Sequence, residues 1–151
     1  THVIHLQMNN IKWIKNPNIN IKPKKKPMLL YLQKSEMSLP YLINAYNVVI
    51  VYAYADWCRP CKIIAPQYEE LAKKYAKHPL VLFCKDDISS PKSYFTGNYS
   101  YKKINGVPSL FIFHKAKMVK YILGGDLKQL EETLQSILDT NKCPPISTNF
   151  L

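Results

Sequence analysis

The feature that most constrains this chain is a junction. The apolar run Val48-Val49-Ile50-Val51-Tyr52-Ala53-Tyr54-Ala55 leads into Asp56-Trp57-Cys58-Arg59-Pro60-Cys61, and a helical pattern follows at once. The run has the length and the β-branched and aromatic content of a buried strand. Beyond it, Ile64, Tyr68, Leu71, Ala72 and Tyr75 recur at steps of four, three, one and three, which is one helical face. The cysteine pair therefore sits between a strand and a helix, with Cys58 at the helix N-terminus and Cys61 one turn inside.

At that position a Cys-x-x-Cys can close a disulfide without unwinding the helix. Cys58 faces the unsatisfied N–H groups and the positive end of the helix dipole, which stabilise a thiolate by roughly 0.5–1 kcal/mol. Arg59, the only arginine in the chain, adds a cation beside it. A drop of about one unit from the free-thiol pKa near 8.5 is expected, which makes Cys58 an accessible, readily ionised attacker. Cys61, buried behind it, is suited to resolve a mixed disulfide. Pro60 suits the first helical turn, where its missing N–H costs nothing. No metal is expected, because a second Cys-x-x-Cys or a His-x-x-x-His is absent and His2, His5, His78 and His114 are scattered.

The run from Ala55 to Pro66 resembles the active-site signature of the thioredoxin family, including the proline, Pro66, that kinks the active-site helix. Gly106-Val107-Pro108-Ser109 is similar to that family's cis-proline loop, and Gly124 falls where a glycine follows the last strand. The order of elements also fits: strand 28–32, helix 36–46, strand 48–55, helix 59–77, strand 80–84, strand 109–113, strand 117–123, helix 127–139. The resemblance spans roughly residues 28–140 and implies an α/β thioredoxin fold, a central mixed β-sheet flanked by helices. It further implies a cis Val107-Pro108 bond, with the Val107 backbone free to pair with an extended substrate.

The chain departs from the family in four places. The dipeptide between the cysteines is usually Gly-Pro and here is Arg-Pro. Thioredoxins commonly bury an acid in the strand before the dithiol, paired with a lysine on the neighbouring strand; those positions are Tyr52 and Phe83. Both charges are missing together, as the cost of a lone buried charge requires. Tyr52 is a poor base near neutral pH, so Cys61 lacks the usual proton acceptor and mixed disulfides are expected to resolve slowly, unless water takes the proton and Tyr52 is simply core. Residues 88–103 form a longer connection than usual, with Tyr94, Phe95, Tyr99 and Tyr101 among polar residues, expected to pack the loop onto the body rather than recruit a partner. The last hairpin, His114-Lys115-Ala116-Lys117, lacks an Asn-Gly turn.

The 151 residues divide into a basic N-terminal extension (1–27), a single compact domain (28–140) and a tail (141–151). Of the net charge of +11, the first 27 residues supply +6 through six lysines and no acid. That stretch reads as a solvated extension, in which Val3-Ile4-His5-Leu6 and Ile11-Lys12-Trp13-Ile14 could pack locally; no nucleic-acid motif accompanies it. The longest apolar run is too short to span a bilayer, and the start lacks a signal-peptide core. A cytoplasmic setting is favoured, or an organellar one if a leader precedes Thr1. Glu69–Lys73 and Glu70–Lys74 are expected to pair along one helix face. Asp126 with Gln129 reads as a helix start. Leu127, Leu130, Leu134, Ile137 and Leu138 read as core. Cys84 reads as a small buried hydrophobe, and Cys143 as an idle thiol in the tail.

The resulting expectation is a thiol–disulfide oxidoreductase. Cys58 attacks and Cys61 resolves, Trp57, Val107 and Pro108 shape the substrate groove, and Arg59, Pro60 and Tyr52 tune the dithiol. No cofactor is needed for the exchange. The partners implied by the resemblance are disulfide-containing protein substrates and an external thiol reductase. Direction stays open, because a stabilised thiolate makes the couple more oxidising. An oxidase or isomerase is the enzymatic alternative, and a weakly redox-active adaptor the other.

Overall fold

The computed structural model describes residues 25–96 and 104–142. The expectations for residues 1–24, for Tyr99 and Tyr101, and for Cys143 and the tail beyond residue 142 lie outside the described residues. Five strands and three α-helices follow one another along the described chain: β1 (Leu30–Tyr31), a 3-10 turn (Leu32–Lys34), α1 (Leu39–Ala45), β2 (Val48–Tyr54), α2 (Arg59–Lys74), β3 (Val81–Asp87), β4 (Ser109–His114), β5 (Lys117–Leu123) and α3 (Leu127–Lys142). The sheet order is β1-β3-β2-β4-β5. β2 is its central strand, parallel to β3 (Val48 opposite Val81, Tyr52 opposite Lys85) and antiparallel to β4 (Val51 opposite Phe111). This is the expected mixed sheet flanked by helices.

Alternation along β2 divides the core in two. Val48, Ile50 and Tyr52 pack on one face with Phe83, Tyr68 and Leu71, and with Leu130 and Leu134 of α3. Val49, Val51 and Ala53 pack on the other with Leu39, Leu42 and Ile43 of α1 and with Phe95 and Phe111. Both faces being covered explains why β2 is apolar throughout rather than alternating. Leu130 and Leu134 are fully buried, and Leu127, Ile137 and Leu138 pack partly against the same cluster, so the last helix faces the core as its spacing requires. Cys84 is fully buried.

Three expectations are corrected. β3 runs three residues past its expected end at Cys84, through Lys85-Asp86-Asp87; parallel pairing with Tyr52, Ala53 and Tyr54 carries the polar residues into the ladder. The two i,i+4 pairs do not form. Lys73 bonds Glu70 at 3.4 Å, while Lys74 reaches across to Glu131 of α3. A longer-range partner with a part-buried carboxylate displaces the local one, whose strength is only a few tenths of a kcal/mol. The third correction, the burial of Cys58, is described with the site.

Between β3 and β4 the described part of the long connection is held by a buried carboxylate. Asp86 accepts hydrogen bonds from Ser93 Oγ (2.6 Å), Gln33 Nε2 (2.8 Å) and the Tyr94 backbone N–H (3.1 Å). Phe95 stacks on Phe111 with ring centroids 4.2 Å apart. Residues 93–95 are thus packed onto the body, as expected. The β4–β5 hairpin closes through Lys115 (φ 52°) and Ala116 (φ 70°). Two consecutive positive φ values mark a type I′ turn, formed here without the glycine or asparagine that such turns favour.

Candidate functional site: a disulfide at the end of the central strand

The chain leaves β2 at Tyr54, turns through Ala55-Asp56-Trp57 and enters α2 with Cys58 as its N-cap residue. Cys58 and Cys61 are joined by a disulfide, their Cα atoms 5.3 Å apart. The Cys61 backbone N–H donates to Cys58 Sγ at 3.2 Å, so a sulfur fills the capping role usually taken by an oxygen. One of the helix's unsatisfied donors therefore points at the sulfur on which negative charge would develop. Pro60 lies in the first turn and Pro66 inside the helix.

Cys61 is buried, as expected, but Cys58 is only 4% exposed. The expectation of an open outer thiol is corrected: bonded to Cys61 and capped by its N–H, Cys58 is drawn into the cluster that holds Ala55 and Tyr68. The exposed surface is carried by its neighbours. Trp57 is 72% exposed, and Arg59, Pro60 and Lys62 are exposed on the first turn of α2.

The cis-proline loop stands where the sequence places it. The Val107-Pro108 bond is cis, Val107 is half-buried against the cluster containing both cysteines, and Pro108 is buried. Gly124, at φ 103°, donates its N–H to the Pro108 carbonyl at 2.8 Å, joining the end of β5 to this loop. Only glycine adopts that conformation without strain. Leu123 completes the rim: it is 58% exposed, and a Cβ built on Gly106 would lie 3.5 Å from its Cδ1.

Tyr52 lies beneath the disulfide. It is buried, and its phenol donates to the Cys61 carbonyl oxygen at 2.7 Å. Burial, and then Tyr54, push its pKa well above the ordinary phenol value, so the group stays protonated and keeps donating to the Cys61 carbonyl. Phe83 packs against Tyr68 and Tyr75, with ring centroids at 5.5 and 6.0 Å, and Tyr68 in turn lies 4.9 Å from Tyr52. The buried acid and lysine of related sites are thus replaced by aromatic packing at those positions.

Two residues at this site escaped sequence reading. Leu123 looked like the end of an ordinary strand. Lys85 lay beyond the expected end of β3, yet the alternation Val81, Phe83, Lys85 puts it on the dithiol face of the sheet. Among the described residues no group of three His, Cys, Asp or Glu could hold a metal, and no helix is long and apolar enough to cross a membrane.

A thioredoxin family model matches residues 32–137. The chain is 34% identical over 103 residues to a thioredoxin of Buchnera aphidicola subsp. Baizongia pistaciae, covering 65% of this chain and 85% of that protein. It is 32% identical over 101 residues to thioredoxin 1 of Plasmodium falciparum, covering 65% and 90%. A mutant thioredoxin from Halobacterium salinarum superposes with a TM-score of 0.61 at 26% identity, over 75% of this chain and 94% of that one. Together with the closed Cys58–Cys61 pair, these likenesses support thiol–disulfide exchange as the chemistry of the site. The chain belongs to the thioredoxin family.

Proposed function

We propose that the protein is a thioredoxin-type reductant of protein disulfides. The observation that carries this reading is the disulfide between the N-cap residue of α2 and the residue one turn inside it. In the reduced protein the Cys58 thiolate attacks one sulfur of a substrate disulfide, forming a mixed disulfide and expelling the other sulfur as a thiolate. That thiolate takes the proton of Cys61. Cys61 then attacks Cys58, re-forms the internal disulfide and releases the second substrate sulfur as a thiolate. Two electrons leave the dithiol and two substrate sulfurs are reduced, with no cofactor taking part.

Trp57, Val107, Pro108 and the Leu123 rim form the groove that receives an extended substrate, whose backbone pairs with Val107. Arg59 and Pro60 bias the Cys58 thiolate, and Tyr52 holds the first turn of α2 over the sheet. An external thiol reductase returns the electrons. The exposed cation of Arg59 and the N–H aimed at Cys58 Sγ also favour the reduced form, which is the property of an oxidant or isomerase. The test is twofold. Reduction of a model protein disulfide by the purified protein, lost in Cys58→Ser, separates an enzyme from an adaptor. The reduction potential of the Cys58/Cys61 couple then decides direction: near −270 mV supports the reductant, and about −180 mV or above overturns it.

A further inference from the structure

Lys85 is only 8% exposed, yet among the described residues it forms no ion pair. Its Nζ lies 4.7 Å from the ring centroids of both Tyr31 and Tyr54 and 5.9 Å from that of Tyr52. The sheet builds this arrangement directly. Lys85 stands on β3, opposite Tyr31 of β1 on one side and Tyr52 of β2 on the other, and Tyr54 is the next residue of β2 on the same face. The negative faces of the rings offset part of the cost of removing an ammonium from water. The Tyr52 ring then connects this cation to the dithiol, since its hydroxyl bonds the Cys61 carbonyl at 2.7 Å.

We propose that Lys85 is a positioning residue for the second half of the exchange, its caged ammonium stabilising the Cys61 thiolate as the mixed disulfide is resolved. The proposal rests on the reading that Cys58 and Cys61 exchange disulfides. The Lys85 side chain is buried among three rings, and a unit charge held there acts across the Tyr52 ring as well as through contact. The other charged groups are differently placed. Arg59 and Lys62 are exposed on the outside of α2, Asp56 is exposed in the turn before it, Asp87 is half-buried at the end of β3, and Asp86 points to the opposite face. Tyr54 is pushed up to about 12 by burial first, then by Asp87 and Asp56, and Tyr52 lies higher still. Neither phenol ionises in the working range, so neither contributes a charge that would mask that of Lys85.

The experiment uses the full chain, reduced and mixed with an aromatic disulfide whose thiolate absorbs visibly. Attack by Cys58 releases a first equivalent; attack by Cys61 on the Cys58 sulfur releases a second, its proton passing to solvent. For Lys85→Met the second phase is expected to slow about tenfold near pH 7, its pH midpoint rising by about one unit, and to rejoin the wild type at alkaline pH. Lys85→Arg should restore the wild-type profile. Tyr31→Leu, which opens the cage to water, should move the midpoint the same way by less. An unchanged second phase in folded Lys85→Met, or one slowed equally at every pH, overturns the proposal. If Lys85→Met does not fold, an unchanged midpoint in Tyr31→Leu overturns it. A wild-type protein that releases no second equivalent defeats the underlying reading instead.

Discussion

Gly125 lies directly against Ile64 of the active-site helix: a Cβ at Gly125 would sit 2.8 Å from Ile64 Cγ2 and 3.0 Å from its Cδ1. Cγ2 hangs from a β-branched carbon and cannot swing away as the end of a long side chain would. Gly125→Ala is therefore expected to destabilise the fold by about 1–3 kcal/mol, read as a lower denaturant midpoint. In an Ile64→Ala background the same substitution should cost little. Equal costs in both backgrounds would show that the contact is not the cause.

Tyr52→Phe removes the hydrogen bond to Cys61 and leaves the ring against Tyr68, whose centroid is 4.9 Å away. A loss of about 1 kcal/mol of stability is expected, with disulfide exchange retained, because a phenol whose pKa is raised is no base near neutral pH. Tyr52→Asp supplies a carboxylate acceptor inside the protein, beside the expelled substrate thiolate that otherwise takes the Cys61 proton. It should turn over insulin-type disulfides faster, while losing about 3–5 kcal/mol of ring packing. Equal or lower rates in the folded variant would refute that role.

The β4–β5 turn holds two side-chain-bearing residues at positive φ. Lys115→Asn with Ala116→Gly should raise stability by about 1 kcal/mol, since the native turn strains both residues. Chemical denaturation measures this. No gain would mean that the methyl of Ala116, packed on the second core cluster, offsets the strain.

Two carboxyls should bend the pH–stability curve in opposite directions. The Lys74 ammonium, together with the Tyr75 hydroxyl, holds Glu131 below its ordinary range. A lowered folded pKa gives stability that is present above about pH 4.5 and lost as pH falls through the folded value. Asp86 is raised, chiefly by burial and against the hydrogen bonds from Ser93, Tyr94 and Gln33. The native state then keeps a proton that the unfolded chain has released, so its contribution declines as pH rises from about 4 through the folded value. Thermal unfolding between pH 3 and 7 should lose the first slope in Glu131→Gln and the second in Asp86→Asn.

Local signals located most of the site. A strand-length apolar run, a Cys-x-x-Cys and a 3.6-residue period placed Cys58 at a helix N-terminus, and the disulfide closes there. The Asp126 start also formed, its Oδ1 accepting from the Gln129 N–H at 3.0 Å. What escaped were consequences of pairing between distant segments. The polar end of β3 reads as loop until Tyr52, Ala53 and Tyr54 are seen to pair with it.

Sequence by itself carried the resemblance to the family, in the run from Ala55 to Pro66 and the loop at Val107-Pro108, and local periodicity gave the order of the elements and the place of the cysteine pair. Tertiary structure decided the surroundings of that pair. The burial of Cys58, the phenol of Tyr52 on the Cys61 carbonyl and the three rings around Lys85 each join residues on different elements. Strand register sets which side chains meet, and register is a property of the assembled sheet rather than of any one segment.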